Sequence, residues 1–206
     1  MLVLASASPR RRDLLTQAGY AFTVFPADIP EDPLPAELPI PYVLRLARAK
    51  AEAVAASRQF AALLRDYPAH PPLILAADTT VVAPNGEILG KPLDDADAAR
   101  MLRLLAGATH QVITGVALLA PAPQDSILEV AAEVTHVTMA TPTDEELARY
   151  IATGEPCGKA GAYAIQGQAA RWIPRIHGCY FNVVGLPLAL VAAMLDGLQA
   201  RLQPVR

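Results

Sequence analysis

With 206 residues, 53% of them hydrophobic and 18% charged, the chain has the composition of one folded globular domain and not of a disordered protein. A formal net charge of −3 gives no overall attraction to nucleic acid or to an anionic membrane, so any anion site has to be local. The longest apolar stretch, near Val183 to Leu195, contains Gly185 and Pro187 and falls short of the roughly 20 residues a membrane span needs, so no membrane span is expected.

The first apolar run precedes Arg10, Arg11 and Arg12, the reverse of the order in a secretory signal. Cys157 and Cys179 are far apart with no CxxC spacing, which suits two free thiols in a reducing cytoplasm. A soluble cytoplasmic protein is expected.

In chain order, Met1 to Ala5 reads as a short buried strand. Ser8-Pro9 reads as an N-cap followed by proline at the first helical position, opening a helix through Leu15 that stops near Gly19. Phe22 to Phe25 is a second strand, and the proline- and acid-rich run from Pro26 to Pro41 a loop. Tyr42 to about Leu64 has apolar residues at helical spacing. Leu73 to Ala77 is a continuous apolar run, expected to form a central strand that ends at Asp78.

Asn85-Gly86 between Val81-Val82 and Ile88-Leu89 predicts a hairpin. Asp94 or Asp95 caps a helix to Leu105, which Gly107 terminates. His110 to Leu119 and Ile127 to Met139 read as strands joined by a proline-containing loop. Thr143 with Glu146 makes a capping box for a helix ending at Gly154. The glycine-rich stretch from Gly158 to Gly167 precedes one more strand or hairpin, and Gly185-Leu186-Pro187 opens the last helix. Strands and helices mixed in this way predict an α/β or α+β fold around one sheet, in a single domain over residues 1–206.

Four places combine polar side chains with special backbone chemistry. The first is Ser6 to Arg12, between a strand and a helix. A helix N-terminus presents unpaired N–H groups and a positive dipole end, and the guanidinium fork matches phosphate; the plainer reading is a solvated basic face. The glycines and lysine of a Walker A loop are absent. The second is Asp78-Thr79-Thr80, where a carboxylate at a strand end would bind Mg²⁺ or take a proton from water, or simply cap a turn. The third is Gly90-Lys91-Pro92, a lysine on a rigid turn, although most lysines only meet water. The fourth is Lys159 to Gly167, in which Gln166 offers a donor and an acceptor on one amide. That pair suits a nucleobase edge, against the alternative of a surface turn. No serine or cysteine nucleophile motif appears, and His70, His110, His136 and His177 lack metal-ligand spacing; His110 reads as structural.

Together these motifs resemble the Maf family of nucleotide pyrophosphatases. The likeness runs in order along nearly the whole chain. It is carried by Leu4-Ala5-Ser6-Ala7-Ser8-Pro9-Arg10-Arg11, Arg45 to Ala51, Ala77-Asp78-Thr79, Gly86 to Pro92 and His110 to Val116. It continues through Gly154-Glu155-Pro156, Lys159 to Tyr163, Ile165-Gln166-Gly167 and Asn182 to Pro187. The resemblance implies the fold shared with inosine triphosphate pyrophosphatases: an elongated mixed sheet and two lobes flanking a central nucleotide cleft. It implies cleavage between the α and β phosphates with a divalent cation, Mg²⁺ or Mn²⁺, and commonly a homodimer.

On this resemblance Asp78 is the catalytic acidic residue, and Arg10, Arg11, Lys50 and Lys91 face the phosphates. Glu31 is a polar cleft residue and, with Asp78, a candidate metal ligand. The Gly-Ala-Tyr-x-Ile-Gln-Gly string resembles the subgroup acting on dTTP and UTP, whose specificity positions fall on Arg10, Thr79 and Gln166. Ala169, Gly158 and Pro30 depart from the usual glycine, aspartate and acidic residue. Two other readings remain: a pyrophosphatase for modified purine nucleotides such as 7-methyl-GTP, and a non-catalytic nucleotide-binding regulator of cell division.

Overall fold

The computed structural model describes residues 1–68, 70–122 and 125–202. Among them the chain forms seven strands, β1 (Leu2–Leu4), β2 (Phe22–Val24), β3 (Leu73–Val82), β4 (Ile88–Leu89), β5 (Thr109–Ala120), β6 (Ile127–Thr138) and β7 (Arg175–His177). The helices are α1 (Pro9–Gln17), α2 (Pro39–Ala55), α3 (Arg58–Asp66), α4 (Asp95–Leu105), α5 (Asp144–Ala152), α6 (Tyr180–Val184) and α7 (Leu188–Leu202). The strands make one mixed sheet in the order β2-β1-β3-β5-β6-β7, with β4 paired to β3. β1 runs parallel to β2 and β3, with Leu4 opposite Val24 and Leu75. β4 and β7 lie antiparallel to β3 and β6. The mixed α/β expectation holds.

The chain divides into two compact units: residues 1–78, 114–133 and 185–206, and residues 79–113 and 134–184. The first has a core of Val3, Ala5, Phe25, Ala47, Ala51, Val54, Phe60, Ile74, Ala76, Ala117 and Leu119. There β5 meets α2 so closely that a Cβ on Gly115 would lie 2.5 Å from the Val43 carbonyl oxygen. The second unit is built around Leu102, Leu105, Met139, Tyr163 and Trp172.

Local signals translate directly. Ser8 Oγ accepts from the Arg11 N–H at the start of α1. Asp94 caps α4 through the Asp97 N–H at 2.8 Å. Thr143 and Glu146 close their capping box on α5. The Asn85-Gly86 turn joins β3 to β4, with Gly86 at φ +88°, a left-handed value that glycine adopts without strain.

Three boundaries are corrected. Asp78 is interior to its strand: β3 continues to Val82 because Thr79, Thr80, Val81 and Val82 are all β-branched and β4 pairs with Val81 and Val82. The helical region from Tyr42 is not continuous. It ends at Ala55, and Ser57 accepts from the Phe60 N–H at 3.1 Å to start a second helix. α2 begins at Pro39, inside the expected loop, because its first turn needs no N–H donors and tolerates proline. α6 is a single short helical segment that periodicity does not reveal. Part of the β5–β6 connection, residues 123–124, lies outside the described residues.

Candidate active site

In the first unit, β3 delivers Asp78 and α2 delivers Lys50. α2 buries Val43, Leu46, Ala47, Ala51 and Val54 at helical spacing, and Lys50 lies on that same stripe. A lysine so placed needs a partner, because a buried charge is costly unless paired. It has two: Lys50 Nζ is 2.6 Å from Asp78 Oδ1 and 2.6 Å from Glu31 Oε1. Asp78 is buried and Glu31 half-buried.

Glu31 reaches Lys50 because its loop is stitched to α2. The Tyr42 hydroxyl donates to the Glu31 carbonyl at 2.8 Å. Arg45 donates through Nε and Nη2 to the two Glu37 carboxylate oxygens at 2.6 Å each, and through Nη2 to the Asp32 carbonyl at 3.1 Å. The Arg45 hydrogen bonds hold the Glu37 carboxyl down at about 2. Burial, with the charges of Asp78 and Glu31, pushes the Tyr42 hydroxyl up to about 12, so it stays a donor.

At the β1–α1 junction, Ser6 Oγ accepts from the Ser8 N–H at 3.2 Å and from Arg11 Nη1 at 3.1 Å. Arg11 Nε donates to the Gly185 carbonyl at 2.8 Å. Arg11 is buried, which lowers its pKa, while Asp78 and Glu31 act in the opposite sense. It therefore braces the loop that opens α1. Arg10 is half-buried in the first turn of α1, and desolvation lowers its pKa too.

In the second unit, Thr79 is half-buried in β3 and Lys91 is exposed on the turn after β4. Gln166 is exposed in a turn closed by the Gly167 N–H on the Ala164 carbonyl at 3.1 Å. The third and fourth sequence motifs meet here: the Gly161 N–H donates to the Gly90 carbonyl at 3.1 Å. Gly161 has φ +67°, and a Cβ there would press on Val81 at 2.9 Å. His110 Nε2 bonds the Tyr163 hydroxyl at 2.8 Å inside the core, and burial lowers the imidazole to about 4. His110 is thus a structural histidine.

Sequence reasoning missed Tyr42, whose hydroxyl holds the Glu31 loop; a tyrosine on the buried stripe of α2 beside an acidic loop was the available signal. Cys157 and Cys179 are free thiols, as expected. No helix among the described residues is long and apolar enough to cross a membrane. Among those residues, no group of three or more His, Cys, Asp or Glu is placed to hold a metal ion; Glu31 and Asp78 make a pair.

A carboxylate–lysine cluster and an arginine-bearing helix N-terminus therefore lie in the same unit of a mixed α/β protein. The family follows from a match over residues 1–198 to the model described as Maf-like protein: the chain belongs to the Maf family. It is 51% identical to a dTTP/UTP pyrophosphatase of Koribacter versatilis over 94% of this chain and 92% of the relative. It is also 51% identical to one of Geobacter metallireducens, covering 97% and 96% of the two chains. A Geobacter sulfurreducens protein of the same name is 50% identical over 97% of each.

Proposed function

We propose that this protein is a hydrolase that cuts dTTP and UTP between the α and β phosphates, releasing the nucleoside monophosphate and pyrophosphate. The observation that carries the reading is the Glu31–Lys50–Asp78 cluster, together with relatives named dTTP/UTP pyrophosphatase at about half identity over nearly the full chain.

Phosphoryl-type transfer asks for positioning and charge neutralisation more than covalent machinery. Asp78 takes the proton of the attacking water, and Lys50 balances the two carboxylates and orients that of Asp78. Arg10, in the first turn of α1, binds phosphate oxygens, with Arg11 bracing the loop that opens α1 and contributing charge. Lys91 is assigned to the phosphates and Thr79 to specificity on the family resemblance.

Glu31, Asp78 and Lys50 together carry one net negative charge, so a triphosphate of about four negative charges meets repulsion there. Two carboxylates are a donor set that fits Mg²⁺ or Mn²⁺ completed by substrate phosphates, since Mg²⁺ commonly takes only one or two carboxylates from the protein. Glu31 and Asp78 would hold the cation, which would neutralise phosphate charge.

Gln166 is assigned to the base. In uracil and thymine N3–H donates and O4 accepts, and a glutamine amide offers the complementary pair. Cytosine reverses both groups, so discrimination requires that the amide be held in one direction. Purines are rejected by size. The family resemblance adds a homodimer, and two free thiols suit a cytoplasmic location.

The test is pyrophosphate release from dTTP, UTP, CTP, GTP and 7-methyl-GTP with Mg²⁺ and Mn²⁺. A preference of at least about tenfold for dTTP and UTP is expected, the scale of one hydrogen-bond pair. Binding without pyrophosphate release, or preference for a purine nucleotide, would overturn the reading.

A further inference from the structure

The Glu155 carboxylate lies under the turn that carries Gln166, and the mechanism above does not use it. Both of its oxygens accept the Gln168 N–H, each at 3.1 Å. A Cβ placed on Gly167 would sit 2.0 Å from Glu155 Oε1, so glycine at 167 is what lets the carboxylate close on the backbone. The Tyr150 hydroxyl donates to Glu155 Oε1 at 3.0 Å. The Tyr150 ring in turn meets Trp172 edge to face, with centroids 5.2 Å apart.

The rest of Glu155 is equally anchored. Its N–H donates to Thr153 Oγ1 at 3.1 Å, and its carbonyl accepts from Lys159 Nζ. Residues 168–172 form a short 3-10 helix, and Glu155 satisfies the first free N–H of that helix from a distant point in the chain. A carboxylate at a helical N-terminus is the favourable sign. Burial and the neighbouring Glu155 charge push the Tyr150 hydroxyl well above its ordinary value, keeping it a donor.

We propose that Glu155 is a specificity-determining positioning residue: held by Tyr150, its carboxylate clamps the backbone at Gly167–Gln168 and so fixes the turn from which Gln166 presents its amide. This rests on the assignment of Gln166 to the base. The amide can tell uracil from cytosine only if it does not rotate freely, and rotation is restrained when the turn beneath it is rigid. Without the carboxylate, the Gln168 N–H loses its partner and the Ala164–Gly167 turn loses its lower support. Gln166 then samples orientations that suit cytosine as well as uracil. A displacement of about 1 Å at a substrate-positioning group is enough to cost up to about a hundredfold in rate.

The experiment measures kcat and KM for UTP and CTP on the wild type, Glu155→Ala, Gln166→Ala and the double variant, with thermal melting on each. Glu155→Ala is expected to raise KM for UTP more than it lowers kcat and to collapse the UTP:CTP preference to the level of Gln166→Ala. The double variant should show no further loss. Glu155→Gln keeps one acceptor oxygen and should be intermediate, and Tyr150→Phe should lose a smaller part of the preference. If Gln166→Ala loses the preference while folded Glu155→Ala keeps it, Glu155 only stabilises the turn and the proposal fails alone. If Gln166→Ala itself keeps the preference, the assignment of Gln166 to the base fails and takes the proposal with it. Should Glu155→Ala not fold, an unchanged preference in both Glu155→Gln and Tyr150→Phe overturns the clamp.

Discussion

Lys50 Nζ lies 2.6 Å from Asp78 Oδ1, and the two residues stand 28 positions apart in the chain. One comes from the buried stripe of α2 and the other from the interior of β3, with Glu31 held to the same ammonium by a stitched loop. The proposed chemistry rests on this pair, and removing either member should have a different signature.

Asp78→Asn keeps the shape of the side chain and removes the carboxylate proposed as the base. Turnover should fall by at least about 10²-fold, the scale of a positioned acid–base group, with circular dichroism unchanged. Near wild-type pyrophosphate release from folded Asp78→Asn protein would show that another group takes the proton.

Lys50→Met strands a buried carboxylate. Breaking a buried pair from one side costs about 3–5 kcal/mol in stability, and Glu31, half-exposed, recovers part of its hydration. Adding Asp78→Asn to Lys50→Met removes the stranded charge, so the double variant should be more stable than Lys50→Met alone. Urea denaturation of the two single variants and the double closes the cycle. Additive losses would mean the two side chains do not interact.

Gly115→Ala tests how β5 supports α2. The new Cβ would meet the Val43 carbonyl at 2.5 Å and the Leu44 nitrogen at 2.9 Å, and backbone atoms cannot swing aside. The expected cost is roughly 1–3 kcal/mol, with a loss of turnover as α2 and Lys50 shift. A urea midpoint equal to wild type would show that strand and helix separate at no cost.

His110 should give the protein an acid-sensitive core. Buried against Tyr163, its imidazole is lowered from 6.5 to about 4, so the unfolded chain binds a proton at a higher pH than the folded one. Its contribution is fully present above about 6.5 and is lost as pH falls toward 4, amounting to roughly 3 kcal/mol. His110→Gln should flatten the fall in unfolding free energy between pH 6.5 and 4. The same slope in both proteins would assign the acid sensitivity elsewhere.

Much of the frame was legible in the sequence because it is made by residues close along the chain. Ser8 capping α1, the Asn85-Gly86 hairpin, Asp94 capping α4 and the Thr143–Glu146 box each depend on hydrogen bonds spanning only a few positions. The ordered motifs likewise pointed to the family. The break at Ser57 was local too, but the apolar period runs through it and concealed it. Only the tertiary structure placed Asp78 inside its strand, since the length of β3 depends on pairing with β4. It also showed that Lys50 joins two carboxylates, that Arg11 spends two donors on Ser6 and Gly185, and that Glu155 closes on Gly167 and Gln168. Except for Arg11 with Ser6, five positions away, these are contacts between residues well separated in the sequence. Neither propensity nor periodicity encodes them, because a buried charge is satisfied by whichever partner the packed chain brings within hydrogen-bond distance.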